Sequence, residues 1–227
     1  MRARLEGTAS GFTPSFNSSR DGRAAIAYTA RMRALQGDRA RRLLQAHRPF
    51  DALERRHHIR TLELVDSEDC CGQRDHFNPG HLTASGFVLS PDRASVLLVE
   101  HVKLGRWLQP GGHLEAEDHS FEQAARREIY EETGLEDLDY DASMSGLFDL
   151  DVHMIPMHGG EPEHLHFDLR FVFVARHENV VAGEGVRSAR FWPLEGIAMR
   201  FDSPSLHRPF LKIRRATNAL YTRNAEA

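Results

Sequence analysis

Cysteine is scarce in this sequence: Cys70 and Cys71 are the only two, and they are neighbours. Adjacent residues seldom bond to each other, so no disulfide framework is expected and both read as reduced thiols. No apolar run approaches the roughly 18–20 residues that cross a bilayer, and the first residues lack the apolar core of a secretory signal. The expectation is a cytoplasmic protein with no membrane partner. An excess of one charge is also missing: 29 Lys and Arg stand against 33 Asp and Glu, a formal net charge of −4, and no lysine-rich run occurs. That balance argues against polymeric nucleic acid as a partner. Internal repeats are absent, which excludes a solenoid or propeller. What remains is a 227-residue chain, 41% hydrophobic, long enough for one main domain with an additional subdomain.

Along the chain the composition changes twice. Residues 1–20 carry Gly, Ser, Thr, Asn and Pro without apolar periodicity and read as a flexible arm. Residues 21–75 read as a helical N-terminal extension, with Gly37 dividing a stretch of helix formers into two helices and another helix between Phe50 and Leu64. Residues 76–227 form the main domain. Within it, Gly86–Leu89 and Val96–Val99 flank the turn Ser90-Pro91-Asp92-Arg93 and predict a hairpin entering a buried sheet. Phe148–Ile155 and His164–Ala175 predict two more strands, Arg190–Trp192 another, and Ser205–Leu220 a closing helix. Strands and helices mix without the alternation of a doubly wound sheet, which makes the fold class α+β.

The most informative segment is Gly111-Gly112-His113-Leu114-Glu115, continuing through Arg127-Glu128-Ile129-Tyr130-Glu131-Glu132-Thr133-Gly134-Leu135. Ser120 and Gln123 have the spacing of a capping box, Phe121, Ala125 and Ile129 recur every four residues, and Gly134 supplies a stop, so a helix over 121–133 follows. On it Glu128, Glu131 and Glu132 stand at i, i+3 and i+4 and share a face. Their mutual repulsion is relieved by cations, and hard oxygen donors favour Mg²⁺ or Mn²⁺. Arg127, four residues before Glu131, is placed to hold that carboxylate. The plainer alternative is a solvated acidic helix face, against which the preceding Gly-Gly turn weighs because it lets backbone approach a ligand closely.

These residues resemble the Nudix box, G-x5-E-x7-R-E-U-x-E-E-x-G-U with U aliphatic. Arg127 to Leu135 agree with it at every defined position. The upstream half departs: fourteen residues separate Gly112 from Arg127, one more than the pattern has. Read as a one-residue insertion, this favours Asp118 over His119 in place of the first glutamate and leaves both open. Gly105-Arg106-Trp107-Leu108-Gln109-Pro110 is similar to the family's strand-to-loop entry, and the looser likeness runs from about His81 to Leu194. The resemblance implies an α/β/α sandwich with a mixed sheet and hydrolysis of a nucleoside diphosphate linked to another group. It also implies metal binding by Glu128, Glu131, Glu132 and the Gly111 carbonyl, orientation of these carboxylates by Arg127, and a glutamate of the box or outside it acting on the attacking water. Glu178 and Glu184 are candidates outside the box, each equally readable as a loop charge. The partner implied is a small phosphorylated substrate. Oxidised nucleotides, ADP-ribose, dinucleoside polyphosphates and non-nucleotide pyrophosphates all stay open, and the N-terminal helices leave room for a homodimer. Alternatives on the same scaffold are a non-catalytic ligand-binding module and a non-hydrolytic enzyme such as an isomerase.

A second polar set lies on the two strands after the box. Asp149, Asp151 and His153 alternate with apolar residues, as do His164, His166, Asp168 and Arg170. Each strand therefore has one ionisable face, and antiparallel pairing would merge them into one patch. The functional reading is a substrate cleft, or a histidine and aspartate site for another metal. The alternative is a solvent-facing sheet surface with ordinary cross-strand ion pairs. The arginines between Arg20 and Arg42 read as a solvated or packing face, and Trp107 and Trp192 as core residues.

Overall fold

The structure, a computed structural model, describes residues 36–67, 71–201 and 203–225. The expected arm over 1–20, the first expected helix and Cys70 lie outside the described residues, while Cys71 is buried in the core. Helix α1 covers 36–46 and includes Gly37, and α2 spans Ala52–Ser67, opened by Asp51, whose carboxylate accepts from the Glu54 amide at 2.7 Å. Arg41 ties the two helices together through Asp66 at 2.9 Å and the Val65 carbonyl at 3.1 Å.

The strands follow as β1 (Gly80–Leu89), β2 (Ser95–His101), β3 (Arg106–Leu108) and β4 (Gly111–His113), then α3 (Phe121–Thr133) and β5 (Leu138–Tyr140). The chain continues through β6 (Asp149–Ile155), β7 (His164–Ala175), β8 (Val186–Pro193), α4 (Ile197–Arg200) and α5 (Pro204–Ala225). The β1–β2 hairpin turns where expected, closed by Ser90 N–H to the Ser95 carbonyl at 2.9 Å. The last strand and last helix are longer than the sequence suggested, β3 is the strand of the expected strand-to-loop entry at Gly105–Pro110, and β4, β5 and α4 were not anticipated. Elements of three or four residues are too short to display a period.

The sheet is mixed. β1 runs parallel to β7 over ten register pairs, from Gly80↔Leu165 to Leu89↔Val174, and is antiparallel to β2 at one end and β4 at the other. β7 in turn pairs antiparallel with β6 along its first half and with β5 at its end. Such a central strand is buried on both faces, and all ten residues of β1 are buried. One face packs Leu82, Ala84, Val88, Phe167, Leu169 and Phe171 against Phe121, Ala125 and Ile129 of α3, joined by Ala40, Leu44, Leu64 and Val65 of the N-terminal helices. The other packs Phe87, Leu89, Val172 and Val174 against Ile197, Leu206, Phe210 and Ile213. Each fully buried Phe or Leu contributes about 1.5–3 kcal/mol. Helices on both faces give the expected α/β/α sandwich.

α2 also closes an open strand edge. β6 pairs on one side only with β7, and on its other side Glu54 accepts from the Leu150 amide at 3.2 Å while His57 Nδ1 lies 3.2 Å from the Leu150 carbonyl and 3.3 Å from the Val152 amide nitrogen. An unpaired edge of this kind invites association with other strands unless covered.

Candidate active site

α3 is fixed at both ends by its own sequence. Ser120 Oγ accepts from the Gln123 amide at 3.0 Å, and Gln123 Oε1 reaches back to the amide of His119 at 2.9 Å, one residue upstream of the usual box partner. Gly134 takes the left-handed conformation at φ 67°, donating to the Tyr130 carbonyl. The loop after β7 completes the C-terminal end: Val181 N–H reaches the Thr133 carbonyl and Gly183 N–H the Glu132 carbonyl, both at 2.9 Å. Glu178 and Glu184 of that loop are exposed. With Phe121, Ala125 and Ile129 turned to the core, Glu128 and Glu132 fall beside β4, and Glu131 stands exposed next to them.

Contact between helix and strand depends on bare backbone. Glu132 Oε2 accepts from the Gly111 amide at 3.2 Å. A Cβ on Gly112 would stand 2.6–2.8 Å from the Glu128 carboxylate, and one on Gly111, at φ 156°, would meet Ser85 Cβ at 2.2 Å. Arg127 gathers the acids: its Nη1 is 3.1 Å from both Glu128 and Glu131, and Nη2 donates to the His113 carbonyl at 2.8 Å. Its fork closes on Asp118, with Nε 3.3 Å and Nη2 3.0 Å from the two carboxylate oxygens. Asp118 is buried and His119 exposed, so Asp118 is the residue that the insertion brings to Arg127.

The electrostatics follow from crowding. Burial, then the charge of Glu128, pushes the Glu132 carboxyl up to about 8, and burial also raises Glu128 despite Arg127. Arg127 holds its proton more firmly than usual: burial opposes this, and the Asp118 and Glu128 carboxylates prevail. A hard-oxygen donor set with more carboxylates than Arg127 can neutralise, backed by the side-chain-free backbone of Gly111 and Gly112, fits Mg²⁺ or Mn²⁺.

The second polar set does merge into one face, since Asp149↔Arg170, Asp151↔Asp168 and His153↔His166 are register partners. β1 extends each row, with His81↔His166, Thr83↔Asp168 and Ser85↔Arg170. That face is not open along its length. Asp149, Asp151, Asp168 and Arg170 are buried, and α5 lies over them. Arg170 Nε is 2.8 Å from Asp168, Nη2 3.0 Å from Asp151 and Nη1 3.4 Å from Asp149. Arg208 forks onto Asp149 at 2.8 and 3.0 Å, and Lys212 bridges Asp149 and Glu54 at 3.1 and 2.8 Å. These four sequence-predicted residues thus satisfy one another and α5.

The histidine end differs. His164 and His166 sit with His81 of β1 and His113 of β4, ring centroids 4.8–5.2 Å from His81 and from one another along the chain of contacts. His153 is 5.7 Å from His166 and bonds Asp151 at 3.1 Å. Burial keeps His81 and His113 down at about 4 and His166 at about 2, so all three are neutral imidazoles near pH 7. Sequence reasoning missed His81, Thr83, Ser85 and His113, as well as Arg208 and Lys212. The spacing by two of His81, Thr83 and Ser85 was the available signal for the first three, and the i, i+4 spacing of Arg208 and Lys212 for the last pair. Trp107 and Trp192 pack edge to face at 5.1 Å, with Trp192 buried. Among the described residues no helix is long and apolar enough to cross a membrane.

A mixed sheet sandwiched by helices, with an acidic helix seated on a Gly-Gly strand, defines a Nudix-type scaffold. The model of the NUDIX domain matches residues 79–212, and the chain belongs to the NUDIX family. It is an enzyme of the Nudix hydrolase class, which cleaves pyrophosphate bonds. Among solved structures, a binary complex of an Ap4A hydrolase from C. elegans is 15% identical over 61% of this chain and 98% of its own, with a TM-score of 0.49. A NUDIX-family hydrolase from Clostridium perfringens is 21% identical over 62% and 97%, with a TM-score of 0.45. The E. coli dihydroneopterin triphosphate pyrophosphohydrolase is 18% identical over 57% and 91%, at 0.43. No curated protein matches the chain.

Proposed function

We propose that this enzyme is a divalent-cation-dependent pyrophosphohydrolase acting on a small nucleoside-diphosphate-linked or related organic pyrophosphate, with Mg²⁺ as its cation and Mn²⁺ as a substitute. The observation that carries this reading is the seating of Glu128 and Glu132 on the bare backbone of Gly112 and Gly111, with Glu131 drawn to them through Arg127 and the Glu132 carboxyl raised to about 8 by burial and by the charge of Glu128. The three carboxylates and the Gly111 carbonyl would hold the cation. When bound, it neutralises phosphate charge and acidifies an attacking water. Arg127 orients Glu128 and Glu131 from one guanidinium nitrogen, and Asp118 holds that guanidinium from the other side. Asp118 thereby acts as a positioning residue, since it reaches the carboxylates only through Arg127.

The test is phosphate-product analysis of the full chain against a panel of nucleoside diphosphate derivatives and organic pyrophosphates, with and without Mg²⁺. A Glu131→Gln, Glu132→Gln double variant is run alongside. The expected result is cation-dependent cleavage reduced at least about 100-fold in the double variant. Ligand binding without turnover, unaltered in that variant, would identify a non-catalytic module instead. Turnover without release of a phosphate product would identify an isomerase-like activity.

A further inference from the structure

The histidine end of the polar face carries chemistry that pyrophosphate hydrolysis at the acidic helix does not use. His81 opens β1, His164 and His166 open β7, and the parallel pairing of these strands places His81 directly opposite His166. One ring nitrogen from each of the three lies within 4.8 Å of the others. His81 and His164 are buried, and His166 is partly so.

Outer hydrogen bonds settle which nitrogens His81 and His164 offer. His81 Nδ1 is 3.1 Å from the His76 carbonyl, and His164 Nδ1 is 2.7 Å from the Pro162 carbonyl. A carbonyl can only accept, so each Nδ1 carries the proton and each Nε2 presents its lone pair. This is the arrangement by which a main-chain oxygen fixes the tautomer and orientation of a metal-ligating imidazole. The Nε2 atoms of His81 and His166 are buried and have no hydrogen-bond partner among the described residues. Buried polar atoms are nearly always satisfied, so two such atoms facing one space point to a ligand.

We propose that His81, His164 and His166 form a transition-metal site, taking zinc by preference, separate from the carboxylate site on α3. Neutral imidazole nitrogens suit zinc, copper, nickel and iron, in contrast to the oxygen donors of Glu128, Glu131 and Glu132, which suit magnesium and manganese. The dimensions are close to those required. A triangle whose sides are at most 4.8 Å has its centre within about 2.8 Å of each corner, and zinc–nitrogen bonds are about 2.0–2.1 Å. Each donor atom therefore moves inward by no more than about 0.7 Å, which small rotations of the rings supply. Three protein ligands leave a fourth position for His113, whose ring lies 5.0 Å from that of His81 and 5.1 Å from that of His166, or for a water or substrate oxygen.

The proposal does not rest on the pyrophosphohydrolase reading, and its test keeps the two apart. The full chain, stripped with a chelator, is titrated with Zn²⁺ against a chromophoric competitor in excess Mg²⁺, and separately loaded with Co²⁺ for its visible spectrum. The expected results are one zinc per chain, an intense tetrahedral Co²⁺ band, and affinity lowered at least about tenfold by His164→Gln and by His166→Gln. The Glu131→Gln, Glu132→Gln variant retains both zinc and the cobalt band. Absence of zinc uptake by the wild-type chain, or uptake unchanged in both histidine variants, overturns the site. Should a histidine variant fail to fold, the wild-type Co²⁺ spectrum decides: intense tetrahedral bands support the site, and weak octahedral ones overturn it.

Discussion

Replacing Arg170 with methionine removes the one cation shared by three buried carboxylates while keeping much of the side-chain volume. The loss is uneven. Asp149 keeps Arg208 at 2.8 and 3.0 Å and Lys212 at 3.1 Å, so its charge stays compensated. Asp168 is left with neutral donors only, Ser85 at 2.8 Å, Thr83 at 3.2 Å and Gln109 at 3.2 Å. Asp151 is left with Ser205 at 2.7 Å, His153 at 3.1 Å, His57 at 3.4 Å and only the more distant Arg208 guanidinium, at 3.9 Å, as a cation. Breaking a buried pair from one side costs about 3–5 kcal/mol, so Arg170→Met is expected to destabilise the fold by about 4 kcal/mol at pH 7. That is a large share of the roughly 5–15 kcal/mol typical of a domain. The effect has a pH signature. Burial pushes the Asp151 carboxyl up, yet Arg170 and His153 hold it far below the usual carboxylate range. In the wild type, this depressed group contributes stability that is present above the unfolded pKa of about 3.9 and lost as pH falls below it. Without Arg170 the largest opposing charge is gone, so the folded pKa moves up towards or past the unfolded one, and the destabilisation grows as pH rises towards 7. Urea unfolding followed by far-ultraviolet circular dichroism at pH 7 and pH 4.5 measures both features. A penalty below about 1 kcal/mol, or the same penalty at both pH values, would refute the account of the network.

Two further outcomes follow from the same geometry. Gly112→Ala places a Cβ 2.6–2.8 Å from the Glu128 carboxylate, the end of a flexible side chain, so the fold persists within about 1 kcal/mol while the Mg²⁺ concentration for half-maximal activity rises about tenfold; an unaltered Mg²⁺ titration would place the cation elsewhere. For Glu54, burial raises the carboxyl, but hydrogen bonds from His47 and Lys212 prevail and bring it to about 2. Its stabilisation of roughly 3 kcal/mol is complete above pH 4.5 and is lost as pH falls towards 2, so Glu54→Gln should flatten the acid limb of a stability curve, and an unchanged limb would show that the network titrates through other groups.

The parts of this protein that were legible in its sequence are those in which local chemistry and tertiary packing agree. Ser120 and Gly134 bound α3 to the residue, and the spacing of Glu128, Glu131 and Glu132 put three acids on one face before any partner was known. The alternation along β6 and β7 announced a polar face and its pairing. What the alternation could not reveal was the cover. Arg208 and Lys212 lie about 60 residues beyond Asp149, and nothing local distinguishes a sheet face under water from one under a basic helix. The β1 rows were hidden for a related reason. His81, Thr83 and Ser85 acquire meaning only when the parallel register sets them against His166, Asp168 and Arg170. A strand of three residues such as β4 has no period to read, so its role emerged only from contacts.

β4 nevertheless explains why the carboxylate cluster and the histidine cluster occur where they do. Successive residues of a strand face opposite sides, and the three residues of β4 use this fully. Gly112 turns towards α3, where the missing side chain admits the Glu128 carboxylate. Gly111 turns towards Ser85, and its amide is left for Glu132. His113 shares that side of the sheet, with its ring among the histidines, while its carbonyl faces back to Arg127. One short strand thus presents main-chain groups to an oxygen-rich cluster and an imidazole to a nitrogen-rich one. The proposed sites would thus sort hard and softer cations by donor chemistry around the same backbone, and a shift of β4 that loosens one donor set necessarily moves a wall of the other.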